Sequence, residues 1–122
     1  MRKAIYMTAV ALLLAGTAPA YASGGADNGP VGVGVIGEGL KVKEVRALLQ
    51  GWYPGARAEV FVLRSGKRVR TVGSWKATES MEVGGHKYEL AVWPVGASFR
   101  HGDRLCSRFD HRNERPCVTI QR

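Results

Sequence analysis

The chain has 122 residues, with 18 lysines and arginines against 10 acidic residues, a formal net charge of +8, 3 histidines and 2 cysteines. That length makes one domain with a thin core, which benefits from covalent help. The two thiols have no histidine at matching spacing, which excludes a zinc site, and interleaved acidic residues leave no run of like charge of the kind that marks a nucleic-acid tail.

Residues 1–22 read as a secretory signal peptide: a charged tip (Arg2, Lys3), an apolar stretch from Ala4 to Ala15, and small residues ending Ala20-Tyr21-Ala22. Cleavage is expected after Ala22, with a cut after Ala20 as the alternative. The apolar stretch is shorter than the ~20 residues that span a bilayer, and nothing later in the chain is longer. The expected product is secreted, without a membrane span. Loss of Arg2 and Lys3 leaves 16 basic against 10 acidic residues, or +6. Such a charge suits anionic neighbours, including cell-wall polymers.

Residues 23–39 are rich in glycine, and a core strand gains little from glycine. They read as a flexible extension. Within it Val31, Val33 and Val35 share one side of an extended chain, while Gly32 and Gly34 leave the other side bare. Val31, Gly32, Val33, Gly34, Val35, Ile36 and Gly37 are therefore the candidate partner-binding ribbon. The folded domain is expected over 40–122. Leu40 and Val42 alternate with Lys41 and Lys43, and the phase then slips at Glu44-Val45, as at a bulge; a short helix over 44–49 is the competing reading. Trp52-Tyr53-Pro54-Gly55 carries a Pro-Gly turn.

Residues 56–64 form the clearest strand, with Ala58, Val60 and Val62 on one face and Arg57, Glu59, Phe61 and Leu63 on the other. After a turn at Ser65-Gly66-Lys67, the next strand sets Val69, Thr71, Gly73 and Trp75 on its apolar side and a basic stripe of Arg68, Arg70 and Lys76 on the other. Residues 78–93 read as a hairpin about Gly84-Gly85, with Tyr88, Leu90 and Val92 as its inward set and Pro94 ending the strand or leaving it on an edge. Finally, two strand-like runs flank the polar tip 110–115. Each contains a cysteine, so Cys106 and Cys117 are expected to clasp this hairpin as a disulfide. About seven short strands at regular spacing indicate an all-β fold, an immunoglobulin-like β-sandwich, with an open barrel as the second choice.

No Gly-x-Ser-x-Gly elbow occurs, and the thiols are taken by the disulfide. No catalytic, cofactor-binding or metal-binding residues are expected, and the chain reads as a non-enzyme without cofactors. The enzymatic alternative is a small secreted ribonuclease assembled from Glu59 or Glu89, His86, His101 or His111, and Arg68 and Arg70. A cell-wall or carbohydrate-binding module would use exposed aromatic rings at Trp52, Tyr53 and Trp93. A hydrolase inhibitor would present Trp52, Tyr53 and Arg57 on their turn.

The layout of the whole mature chain, with its late cysteine pair at Leu105-Cys106 and Pro116-Cys117-Val118-Thr119-Ile120, resembles the small secreted β-sandwich proteins of actinobacteria. Within that group it is similar to the adaptor subunits of umbrella toxin particles, which bridge a large toxin polypeptide and a lectin-like subunit. The resemblance implies a secreted protein that binds other exported proteins and has no catalytic residues. It also implies that the Val31–Gly39 segment is donated to a partner as a strand.

Overall fold

The computed structural model describes residues 24–122. The expected signal segment and its cleavage site lie outside the described residues. Nine strands run in chain order: β1 (Gly24–Asn28), β2 (Val31–Glu38), β3 (Lys41–Gln50), β4 (Arg57–Arg64), β5 (Lys67–Ala77), β6 (Glu79–Val83), β7 (His86–Ser98), β8 (Arg104–Phe109) and β9 (Cys117–Thr119). They make two antiparallel sheets, one in the order β1-β2-β3-β7-β6 and the other β5-β4-β8-β9. The count exceeds the expected seven because the glycine-rich start supplies a hairpin of its own, β1 and β2.

The turns follow from local chemistry. At Gly84-Gly85 both residues have positive φ (58° and 82°), and at Ser65-Gly66 the values are 53° and 78°. Two consecutive left-handed residues make the primed turn whose twist matches a hairpin. Ser65 adopts that conformation without being glycine.

Residues 24–39 are not a flexible extension. Between its neighbours β1 and β3, β2 is paired along both edges. Val31, Val33 and Val35 are 0%, 3% and 2% exposed and belong to the core. The glycines do not prevent this, because only one side of β2 has to bury anything. The run 44–49 is strand rather than helix, and the ladder between β3 and β7 shifts register between Val42 and Glu44.

The core draws on both sheets. Val45, Ala47 and Leu49 from β3 and Ala91 and Trp93 from β7 meet Ala58, Val60 and Val62 from β4 and Leu105 and Phe109 from β8. The expected face of β4 is the buried one. That of β7 is reversed: Glu89, Ala91 and Trp93 point inward, while Tyr88, Leu90 and Val92 are partly exposed on the outside. Trp93 is core, and Trp75, expected there, is half-buried outside β5 beneath the Arg108 guanidinium. Pro94 lies within β7, opposite Glu44, beyond the point where pairing with β6 ends at Leu90. Its missing N–H faces an open edge there.

Cys106 and Cys117 are direct cross-strand partners on β8 and β9 and form a disulfide. That bond is compatible with an extracellular location.

Candidate interaction surface

In an antiparallel ladder, directly opposed residues share a face, so the register of β1-β2-β3-β7-β6 fixes what lies outside the sheet. One row across it is Gly32, Leu48, Leu90 and Glu79; the next is Gly34, Arg46 and Val92; the third is Ile36, Glu44 and Pro94. On the other flank Gln50, Tyr88 and Met81 form a row. Leu48, Leu90 and Val92 are each half-buried by their neighbours alone, and Ile36 is 41% exposed. Within this area Arg46 and Glu44 bind each other at 2.5 Å as a local ion pair, and Glu79 adds an exposed charge at the β6 end of the Leu48–Leu90 row. The result is an apolar strip bordered by a trough where β2 carries no side chains. A Cβ added at Gly34 would meet only Arg46 Cβ at 4.0 Å, whereas at Gly32 the Asp27 carboxylate lies over the site.

The candidate ribbon is therefore split by its own pleat. Gly32, Gly34 and Ile36 face this outer surface, while Val31, Val33, Val35 and Gly37 are buried beneath it. With both edges of β2 already paired, Val31–Glu38 is not a free strand.

Trp52 and Tyr53 sit elsewhere, on the loop between β3 and β4, and are 46% and 44% exposed. Both are held in place. The Trp52 indole donates to Met81 O at 2.9 Å and carries Lys87 Nζ over its ring at 4.6 Å. The Tyr53 N–H donates to Glu89 Oε2 at 2.8 Å, and Tyr53 O accepts from Ala56 N–H at 2.9 Å. Glu89 is fully buried and also accepts from the Thr78 and Ser80 hydroxyls at 2.7 and 2.6 Å. Burial opposes its ionised form, but the bonds from Ser80, Thr78 and Tyr53 outweigh that and hold the carboxyl below its ordinary range. Beside Tyr53 an open hollow of about 190 Å³ is lined by Tyr53, Pro54, Gly55, Ala56, Asp110 and His111.

The basic stripe is not one face. Register shifts between Val60 and Phe61 and between Val62 and Leu63 break the alternation of β5 against β4. Arg68 lies on the outer face, forked onto Glu59 with both bonds at 3.0 Å and stacked over Phe61 at 4.6 Å. By contrast, Arg70 covers Phe99 at 4.9 Å, and Lys76 reaches Trp93 and donates to Val92 O. Each of the three shields an aromatic ring, so none stands as a bare charge. Arg57 is exposed, and its backbone N–H donates to Asp110 Oδ1 at 3.3 Å.

Of the residues of the ribonuclease alternative, Glu59 and Arg68 are brought together as an ion pair. Glu59 is engaged by Arg68 and Arg108, which hold it below the ordinary carboxylate range, Arg68 most strongly. Glu89 is engaged by Tyr53, Thr78 and Ser80. Among the histidines, His111 pairs with Asp110 and His101 accepts from the Arg122 N–H. Among the described residues no group of three or more His, Cys, Asp or Glu could hold a metal ion, and no helix is long and apolar enough to cross a membrane.

The surface residues that sequence reasoning misplaced are Tyr88, Leu90 and Val92, and Leu48 was missed. The available signal was the composition of β7, which is apolar in both of its phases. Comparison with family models, with curated proteins and with solved structures returns no match.

Proposed function

We propose that this chain is a secreted, non-enzymatic adaptor that joins other exported proteins and contacts one of them through the outer face of β2, β3 and β7. The observation that carries the reading is the apolar strip of Leu48, Leu90 and Val92 beside the open trough at Gly34. An antiparallel sheet normally buries one face and wets the other. Here Ala91 and Trp93 fill the core while Tyr88, Leu90 and Val92 wait outside, so β7 has the composition of a strand covered on both sides. Contiguous apolar surface of this kind marks a contact site.

The reading agrees with the resemblance to umbrella toxin adaptors and replaces strand donation by contact between a sheet face and its partner. Strand order supports the finer assignment of the fold. Setting β1 aside, β2-β3-β7-β6 facing β5-β4-β8-β9 follows an immunoglobulin-like connectivity.

The test is capture of partners from the culture supernatant of the producing organism by tagged mature protein, compared with Leu90→Lys and Val92→Lys variants. Both side chains lie on the outer face and are partly exposed, so the variants should stay folded, which a melting curve checks. The expected result is a stoichiometric complex with one or two larger exported proteins that both variants lose. Equal capture by wild type and variants would overturn the assignment of this face. Absence of any stoichiometric protein partner would overturn the adaptor reading.

A further inference from the structure

We propose that the hollow between the Tyr53–Ala56 turn and the Asp110–His111 pair is a subsite for one ring of a neutral saccharide. This inference is independent of the adaptor reading. Two exposed aromatic side chains, Trp52 and Tyr53, are held in place by hydrogen bonds. Left alone, a loop carrying Trp52 and Tyr53 would fold them onto apolar surface or leave them mobile. Here a fully buried carboxylate, Glu89, accepts the Tyr53 N–H, and the Met81 carbonyl accepts the Trp52 indole N–H. Both rings nevertheless remain almost half exposed. A buried ion with no cation bonded to it is a costly anchor for a loop that has only to turn. Rings held rigid and in the open are preorganised for a ligand, since little freedom remains to be lost on binding.

The hollow itself indicates the ligand class. At about 190 Å³ it is smaller than the ~300 Å³ at which pockets for drug-sized ligands begin, so it suits one ring of a longer molecule. One wall is the Tyr53 ring, 5.0 Å from the His111 ring and inclined to it by 39°. The floor of Pro54, Gly55 and Ala56 is uncharged. The rest of the lining is polar: Asp110 Oδ1 takes both the Arg57 N–H at 3.3 Å and His111 Nδ1 at 3.2 Å, while neither of those bonds uses Oδ2. With Nδ1 engaged by Asp110, Nε2 is the ring nitrogen left to hydrogen-bond a ligand.

Electrostatics then removes the charged ligands. An anion would face the Asp110 carboxylate. A cation would find Asp110 already compensated by the Arg57 N–H and by His111 Nδ1. A neutral pyranose has an apolar face for Tyr53 and hydroxyls, each both donor and acceptor, that can bond Asp110 Oδ2 and His111 Nε2. The rest of an oligosaccharide would extend over the neighbouring exposed ring, Trp52.

The test is a backbone-amide NMR titration of the mature protein with chitopentaose, cellopentaose and maltopentaose. The expected result is saturable shifts of Tyr53, Gly55, Ala56 and His111 with at least one of the three, at least tenfold weaker in Tyr53→Ala and in Asp110→Asn. Leu90→Lys should titrate like wild type. Asp110 is 41% exposed, so Asp110→Asn folds and gives a readout whether or not Tyr53→Ala does. The proposal is overturned if none of the three sugars shifts these amides, or if Asp110→Asn binds as tightly as wild type.

Discussion

Replacing Gly73 by alanine should destabilise the domain by more than any other single added methyl group. Gly73 lies on β5 opposite Val60, and the Trp93 indole from the facing sheet packs against its Cα. A Cβ built there would stand 2.6 Å from both Cδ1 and Cγ of Trp93 and 2.7 Å from Cδ2. Ordinary carbon contacts are ~3.5–4.0 Å, so the ring would have to retreat by about 1 Å. It has nowhere to go, because Trp93 is 7% exposed and its indole N–H donates to Ser74 O at 3.1 Å. Overpacking costs ~1–3 kcal/mol and loss of that hydrogen bond about 1 more, giving roughly 2–4 kcal/mol. For a domain near 100 residues each kcal/mol lowers Tm by ~4–8 °C. The assay is urea denaturation followed by tryptophan fluorescence, with heat denaturation followed by circular dichroism. Gly34→Ala is the control, since its Cβ would find ordinary contact at 4.0 Å, and it should change stability by less than ~0.5 kcal/mol. If Gly73→Ala and Gly34→Ala have equal effects, the packing of Trp93 on Gly73 is not what holds the sheets together at that edge.

Two further outcomes are expected. Asp103 is held below the ordinary carboxylate range first by its bonds from Arg64, at 2.8 and 2.9 Å, and Glu59 first by Arg68. The unfolded chain therefore binds more protons than the native one, so this stabilisation is complete above about pH 4.5 and is lost as pH falls through the lowered native values. Tm measured from pH 7 to pH 2 should drop more steeply for wild type than for Asp103→Asn, and equal slopes would contradict the assignment. Removing residues 24–28 should leave a folded protein, since β1 buries little. Removing 24–39 should unfold it, because Val31, Val33 and Val35 each contribute ~1.5 kcal/mol or more by burial; a cooperative melting transition in the longer truncation would refute the placement of β2 in the core.

Much of this architecture is legible in the sequence where one signal dominates. The Gly84-Gly85 and Ser65-Gly66 turns, the Ala58-Val60-Val62 face and the Cys106–Cys117 clasp each rest on local chemistry that tertiary context does not override. Reading fails where two signals are of equal strength. In β7 the phase of Tyr88, Leu90 and Val92 is as apolar as that of Ala91 and Trp93, and alternation cannot choose between them. The inward phase carries Glu89, which hydrophobicity argues against and which only its three hydrogen-bond donors make tolerable. Glycine misleads at β2 for a related reason: composition averages over both faces, whereas burial is decided on one. The basic stripe fails because the bulges in the β4–β5 ladder cannot be placed from β5 alone.

The two surfaces singled out here adjoin. Trp52 donates its indole N–H to the carbonyl of Met81, and Met81 stands opposite Tyr88 in the flanking row of the apolar sheet face. Edge strand β6 thus has part of its exposed backbone engaged by the loop that displays the aromatic rings. This lowers its tendency to pair with a stray strand and fixes the loop relative to the sheet. A macromolecule seated on Leu48, Leu90 and Val92 would abut Trp52 at its margin, and a glycan chain leaving the Tyr53 hollow over Trp52 would run toward the same border. If both ligands belong to one exported partner, a glycosylated or wall-attached protein, the sheet face and the hollow would bind together. The gain would appear as affinity beyond that of either contact alone, because the second contact is made at the high effective concentration set by the first. If they belong to different partners, their common border makes them compete. The relative affinities and concentrations of the two would then decide which one is bound.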